Sequence, residues 1–183
     1  MSSQTTSLKK ILILSLMIAM DVVLSPLFRI EGMAPMSSVM NVIGVILMGP
    51  LYGTLMALIC GVLRMLLLGI PPLALTGAVF GALLAGTFYK WYPKVYSAMF
   101  GEFLGTGIIG SLLSYPVMAW FTGNSHGMYW FFYTPRFIGG AVIGSFVAFI
   151  VMKKLSNVPT FIRIQSMFYH QEKVGEVNHV TTK

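Results

Sequence analysis

Four ionisable side chains lie inside or at the mouths of long apolar runs: Asp21, Arg64, Glu102 and Arg136. A charge at the centre of a bilayer costs at least ~2.5–3.5 kcal/mol, so such groups usually pair, relay protons or hold a ligand. Counting ~1.5 Å per helical residue from the ends of the runs puts Asp21 and Glu102 near mid-depth. By the same count Arg64 falls in the outer third and Arg136 at the outer mouth. Two carboxylates and two guanidiniums could form structural ion pairs and do nothing else. Asp21, with no polar company in sequence, fits that plain role as well as a functional one. Arg64 and Glu102 have more around them. Asn41 in a neighbouring run, and Thr106, Ser111, Ser114 and Tyr115 beyond Glu102, lie at compatible depths and could complete a pocket.

Just after Glu102 stands GTGIIG, Gly105 to Gly110, which matches the G-x-G-x-x-G of dinucleotide-binding folds. That fingerprint needs a strand before it, a helix after it and an acidic residue about twenty positions on. Here both flanks belong to one apolar run, so the phosphate cradle is excluded. The P-loop pattern G-x-x-x-x-G-K-S/T, H-E-x-x-H and G-x-S-x-G are all absent, and the three histidines lie outside the apolar runs. No catalytic constellation is present, and an enzyme is not expected. No metal or cofactor is expected either. His170, His179, Glu172 and Glu176 lack a ligand spacing and are expected in a solvated tail. Cys60, the one cysteine, sits mid-run as a small packing residue.

The elements that must carry these residues are membrane helices. Of 183 residues 56% are hydrophobic and only 9% charged, against about 25% charged in a soluble domain. Mean hydropathy is +0.81. Six spans are expected, at 10–28, 35–48, 51–68, 73–91, 95–120 and 133–152. The second is short and would be tilted or partly re-entrant. Gly49-Pro50, Gly69-Ile70-Pro71-Pro72 and Pro93 mark the turns. The net charge of +7 is not a nucleic-acid stripe. With the N-terminus inside, every lysine falls on the cytoplasmic side, and only Arg29, Arg64 and Arg136 fall in spans or outer loops. Both termini are therefore expected to be cytoplasmic. The N-terminal run contains Asp21 and lacks an A-x-A site, so it is expected to be a retained first helix rather than a signal peptide. The fold class is thus an all-α integral membrane protein. A transmembrane domain over 1–152 is followed by a polar cytoplasmic tail over 153–183.

Glycines four apart let helices approach closely. Gly77/Gly81, Gly101/Gly105 and Gly140/Gly144 have that spacing and predict a dense bundle of spans four, five and six. The near-identical strings GAVFG (77–81) and GAVIG (140–144) are better explained by this packing than by an internal repeat. The aromatic run Tyr129-Trp130-Phe131-Phe132-Tyr133 precedes span six. It is either an interfacial belt or a lid that stacks on a flat aromatic ligand.

The strings NVIGVILMGPLYGTLMALICGVLRMLLLG (41–69), GAVFGALLAG (77–86), GEFLGTGIIGSLLSYPV (101–117) and FIGGAVIG (137–144) carry a resemblance. The chain is similar to the membrane-embedded substrate-binding S components of energy-coupling factor (ECF) vitamin transporters. Among these it most resembles the ThiW family, the thiazole-specific members. The similarity covers roughly 10–152. One departure is Leu75-Thr76-Gly77-Ala78, where the family pattern has Phe-Pro-Gly-Ser before the glycines of span four.

The resemblance implies an S-component-like bundle of six helices with substrate near the outer face. It implies uptake of hydroxyethylthiazole, a precursor of the thiamin thiazole ring. It also implies partners: a coupling transmembrane protein and two ATPase subunits, in keeping with the missing P-loop. Ser15 and Ala19 match the small residues of the first helix that meet the coupling protein. Arg29-Ile30-Glu31-Gly32-Met33-Ala34-Pro35 matches the outer gate. Candidate substrate-binding residues are Asn41, Arg64, Glu102, Thr106, Tyr115, Tyr129, Trp130 and Tyr133. Glu102 or Asn41 would accept the ligand's hydroxyl hydrogen, and Arg64 or Tyr115 would donate to an acceptor atom. Two alternatives remain open: an S component for hydroxymethylpyrimidine or thiamin itself, and an autonomous carrier in which Asp21 and Glu102 relay protons.

Overall fold

The computed structural model describes residues 3–29, 34–123 and 130–169. Among them the chain forms helices and no strand. Helix α1 is Ser3–Leu27. The next element, Pro35–Leu68, is broken at Gly49, whose φ of 83° and ψ of 173° lie in a region essentially reserved for glycine. Pro50 then withholds an N–H. The chain reverses there, giving antiparallel α2 (35–48) and α3 (50–68). The reversal brings Gly53 onto Val45 and Gly44 onto Met56. It also lets Arg64 reach back to Ser37. Helices α4 (Leu73–Trp91), α5 (Val95–Thr122) and α6 (Thr134–Leu155) follow, each long and apolar enough to span. The expected six-helix membrane bundle is the fold.

The second helix is short because it is central. Every residue of α2 except Met36 is buried. A helix apolar on all faces belongs inside a bundle rather than against lipid. At ~1.5 Å per residue it is roughly 21 Å long, less than the ~30 Å hydrocarbon core. It therefore ends short of one side of the bundle. Its neighbour α1 is two-faced. Leu14, Met17, Ile18, Asp21 and Ser25 turn inward and are buried, while Leu8, Leu12, Leu16, Val23 and Leu27 are exposed.

Helices α4 and α5 touch backbone to backbone. A Cβ on Gly101 would fall 2.6 Å from the Ala85 Cα; one on Gly105, 2.7 Å from the Gly81 Cα; one on Gly110, 2.6 Å from the Gly77 Cα. These glycines are spaced by four and then five, which no regular α-helix keeps on one strip. The chain solves this by winding Phe103–Gly110 as a π-helix, whose i→i+5 turns take five residues where an α-turn takes four. The row Glu102, Thr106, Ser111 has the same spacing. Thr76 and Ser114 hydroxyls, 2.8 Å apart, tie α4 to α5, and Ser111 and Thr134, at 3.2 Å, tie α5 to α6. One expectation is corrected: the Gly144 end of α6 does not join the α4–α5 strip. It packs on α2, against Ser38 and the Pro35 carbonyl.

The stretch expected to be a polar tail contains a helix, α7, over 159–169. Phe161 and Phe168 are buried in the main core. The turn at Gly49-Pro50 leaves carbonyls at the end of α2 without helical partners. Two of these are taken up by α7: Gln165 Nε2 donates to the Ile46 carbonyl at 2.8 Å, and the Tyr169 hydroxyl donates to the Val45 carbonyl at 3.0 Å. The Lys10 ammonium of α1 sits 5.3 Å from the Phe168 ring, so both ends of the described chain meet at this side. His170, Glu172, Glu176 and His179 lie outside the described residues.

Candidate functional site

At the opposite side, above the N-terminal end of α2, the bundle encloses a cavity. It offers about 70 Å³ to the centres of water-sized molecules, several times the ~10–15 Å³ that one water needs. Asn41 from α2 with Glu102 and Thr106 from α5 line it; so do Ser37 and Ser38 from α2 and Arg64 from α3. Arg29 after α1 and Arg136 and Phe137 at the start of α6 complete it, all but Phe137 of this trio exposed. Apolar wall comes from Leu73, Ala74, Gly77 and Ala78 of α4, and Gly140 and Ala141 of α6.

The deepest polar group is the Glu102 carboxylate, fully buried. Asn41 Nδ2 lies 3.2 and 3.3 Å from its two oxygens and 3.1 Å from the Ala78 carbonyl. Thr106 Oγ1 is 2.8 Å from Glu102 Oε1 and 3.0 Å from the Gly77 carbonyl. The Ser38 hydroxyl also faces the carboxylate. Glycine at position 81 makes room for all this, since a Cβ there would strike Thr106 and the Glu102 carboxylate. Three helices, α2, α4 and α5, are thus joined around one carboxylate.

A second polar group lies beside it. Arg64, only 2% exposed, donates from Nη2 to the Ser37 hydroxyl at 3.3 Å and is held electrostatically by Asp21. Asp21 accepts from the Ser25 hydroxyl one turn along α1 and faces the Cys60 thiol. Asp21 and Arg64 are therefore electrostatic neighbours, with no direct hydrogen bond between them. Three buried atoms are left without a hydrogen-bond partner in these two groups, the acceptors Asn41 Oδ1 and Asp21 Oδ2 and the donor Arg64 Nε. An orphaned buried polar atom costs about 1–3 kcal/mol. Asn41 and Arg64, which carry one such acceptor and one such donor, both line the cavity.

Of the substrate-binding candidates, Asn41, Arg64, Glu102 and Thr106 come together on this cavity. Tyr115 and Trp130 do not reach it; their rings pack on each other at 5.0 Å. Tyr133 is buried with Met118, Phe137 and Leu73, so it stands behind Phe137 rather than on the cavity. Tyr129 and residues 30–33 of the expected gate lie outside the described residues. Ser15 and Ala19 are exposed on α1, beside the outward row of leucines. Residue types alone missed Ser37, Ser38 and Arg29. The signal for the serines was present, because positions three and four before Asn41 share its helical face.

A family model described as thiamine-precursor transporter protein (ThiW) matches residues 11–158. No curated protein and no solved structure matches the chain.

Proposed function

This chain belongs to the ThiW family of thiamine-precursor transporter proteins, and from that premise we propose that it is the S component of an ECF transporter that captures hydroxyethylthiazole. The family is one of transporters and not of enzymes, and the chain is a multi-pass membrane protein. The observation that supports the finer reading is the cavity on α2, α3 and α5, lined by Asn41 and Arg64, each of which keeps one buried polar atom unpaired. Hydroxyethylthiazole is a small flat ring with a hydroxyl arm and a ring nitrogen. Its hydroxyl can donate to Asn41 Oδ1, and Arg64 Nε can donate to its acceptor atom. Phe137 and the small residues of α4 and α6 offer the apolar wall that such a ring needs.

In this reading the domain over 1–152 does the capture. A coupling transmembrane protein meets α1 at the exposed Ser15 and Ala19, where small residues allow close helix approach. Two separate ATPase subunits supply the energy, in keeping with the lack of a P-loop in the sequence. The test is titration calorimetry on the purified full chain without ATP. Saturable heat with hydroxyethylthiazole, and none with hydroxymethylpyrimidine, is expected. Heat only with the pyrimidine or with thiamin would move the chain to another substrate. Proton-driven uptake into vesicles by this chain alone would replace the S-component reading with the autonomous carrier.

A further inference from the structure

Arginine is distributed unevenly over this molecule. Three of the four arginines, Arg29, Arg64 and Arg136, line this cavity, and no lysine among the described residues does. They converge from three places: the end of α1, the interior of α3 and the first turn of α6. Arginine differs from lysine in presenting a planar fork of donors that matches a carboxylate or a phosphate with two parallel hydrogen bonds.

The carboxylates nearby do not use up this charge. Glu102 is engaged by Asn41, Thr106 and Ser38. Asp21 accepts from Ser25, leaves its Oδ2 without a hydrogen-bond partner and offsets part of the Arg64 charge, which leaves Arg29 and Arg136 unbalanced by it. Arg136 rests over the Phe132 ring, 5.6 Å from its centroid, and neither it nor Arg29 has a carboxylate partner among the described residues. Glu31 lies outside those residues. The buried Arg64, which lines the cavity, keeps its Nε without a hydrogen-bond partner.

The helix ends add to the same sign. The first turns of α2, α4 and α6 all reach the cavity, through Ser37, Ala74 and Arg136. A helix N-terminus carries about half a positive charge, which acidic residues in the first turn commonly offset. None of these three helices has an acidic residue in its first turn or a side-chain cap. Three guanidiniums and three positive helix ends thus face one small space whose only lining carboxylate among the described residues is Glu102.

We propose that the ligand of this cavity bears an anionic group, a phosphate monoester or a carboxylate, held by Arg29, Arg64 and Arg136. The proposal rests on the thiazole reading for the ring and assigns the state of its arm. The anionic arm then turns to the arginines toward the mouth and the ring turns to Glu102 and Asn41, the reverse of the pose in which the hydroxyl of the alcohol donates to Asn41.

The probes are hydroxyethylthiazole, its phosphate monoester and the corresponding thiazole acetic acid, each titrated into the purified full chain in a non-ionic detergent. One of the two anions is expected to bind at least tenfold tighter than the alcohol, with an affinity that falls as salt is raised. Arg136→Gln and Arg29→Gln, both at exposed positions that folding tolerates, should shrink that preference at least threefold, and Arg136→Lys should restore part of it. Which anion wins separates phosphate from carboxylate. Equal affinity for all three compounds overturns the proposal and leaves the thiazole reading standing. No binding of any of the three, with hydroxymethylpyrimidine bound, overturns the thiazole reading instead. The same guanidiniums could hold a lipid phosphate, so the titrations are repeated in nanodiscs. If phosphatidylglycerol raises the thermal midpoint in an Arg136-dependent way and neither anion outbinds the alcohol, the arginines serve the membrane surface and the proposal falls.

Discussion

At the scale of residues, Glu102 is the group on which the site turns. It lies at the junction of three helices and accepts from Asn41 and Thr106 at once. Glu102→Ala would strand both donors in an apolar interior at about 1–3 kcal/mol each, so a large fall in the thermal midpoint is expected along with loss of binding. Glu102→Gln is the cleaner probe. Its amide keeps one acceptor for Asn41, and Thr106 can turn its hydroxyl to accept, so the fold should lose only a few degrees. Ligand affinity should nonetheless fall by about tenfold or more, since removing one partner of a charged hydrogen bond costs roughly 1.5–3 kcal/mol. Calorimetry beside thermal unfolding separates the two effects, and an unchanged affinity would make Glu102 a tie between helices and no more. Asn41, Arg64, Glu102 and Thr106 were legible in the sequence because a polar group inside an apolar run is expensive and has to be accounted for. Arg29, Ser37 and Ser38 were not, because near a helix end such residues are ordinary. The aromatic run was ambiguous for a related reason. Tyr and Trp collect at membrane interfaces whether or not a ligand is near, and Tyr115 and Trp130 pack on one another.

At the scale of elements, glycine does two separate jobs, and substitution should distinguish them. Gly110 is a close-approach position: a Cβ would sit 2.6 Å from the Gly77 Cα and 3.1 Å from the Gly105 carbonyl oxygen. Backbone atoms cannot rotate out of the way, so Gly110→Ala should cost about 1–3 kcal/mol or more through overpacking. Gly69 is a conformational position: it ends α3 at φ 61° with nothing within 4 Å of a Cβ. Gly69→Ala should cost only the left-handed backbone, about 1–2 kcal/mol. It should leave the α4–α5 contact and the cavity intact. The ranking is read from thermal unfolding in one detergent, and ligand affinity should drop for Gly110→Ala alone. If the two variants rank the other way, the α4–α5 strip is less tightly packed than its geometry requires. The six spans and their turns were legible because hydropathy and the Gly-Pro and Pro-Pro punctuation are local signals. The π-winding of α5 was not, because its cause lies on another helix: the strip of α4 that Gly101, Gly105 and Gly110 must all face.

At the scale of the whole molecule, the two sides of the bundle have different tasks. The cavity lies above the N-terminal end of α2, where the central helix stops short. The other side is closed by α7, which no apolar run announced, since an amphipathic helix among lysines and polar residues reads like tail. Its buried Phe161 and Phe168 and its bonds to the Val45 and Ile46 carbonyls seal the turn at which α2 becomes α3. A chain ending at Val158 would uncover two phenylalanine-sized patches of core, each worth about 1.5–3 kcal/mol, and leave two carbonyls to find water. Its thermal midpoint should drop markedly. The cavity lies a helix length away at the far end of α2, and none of its lining comes from α7. Affinity for hydroxyethylthiazole, measured well below the lowered midpoint, should therefore stay within about twofold, because contacts that far apart add independently. Loss of affinity in proportion to loss of stability would mean that α2 transmits the state of one side of the bundle to the other. In that case α7 would belong to the binding cycle and not only to the core.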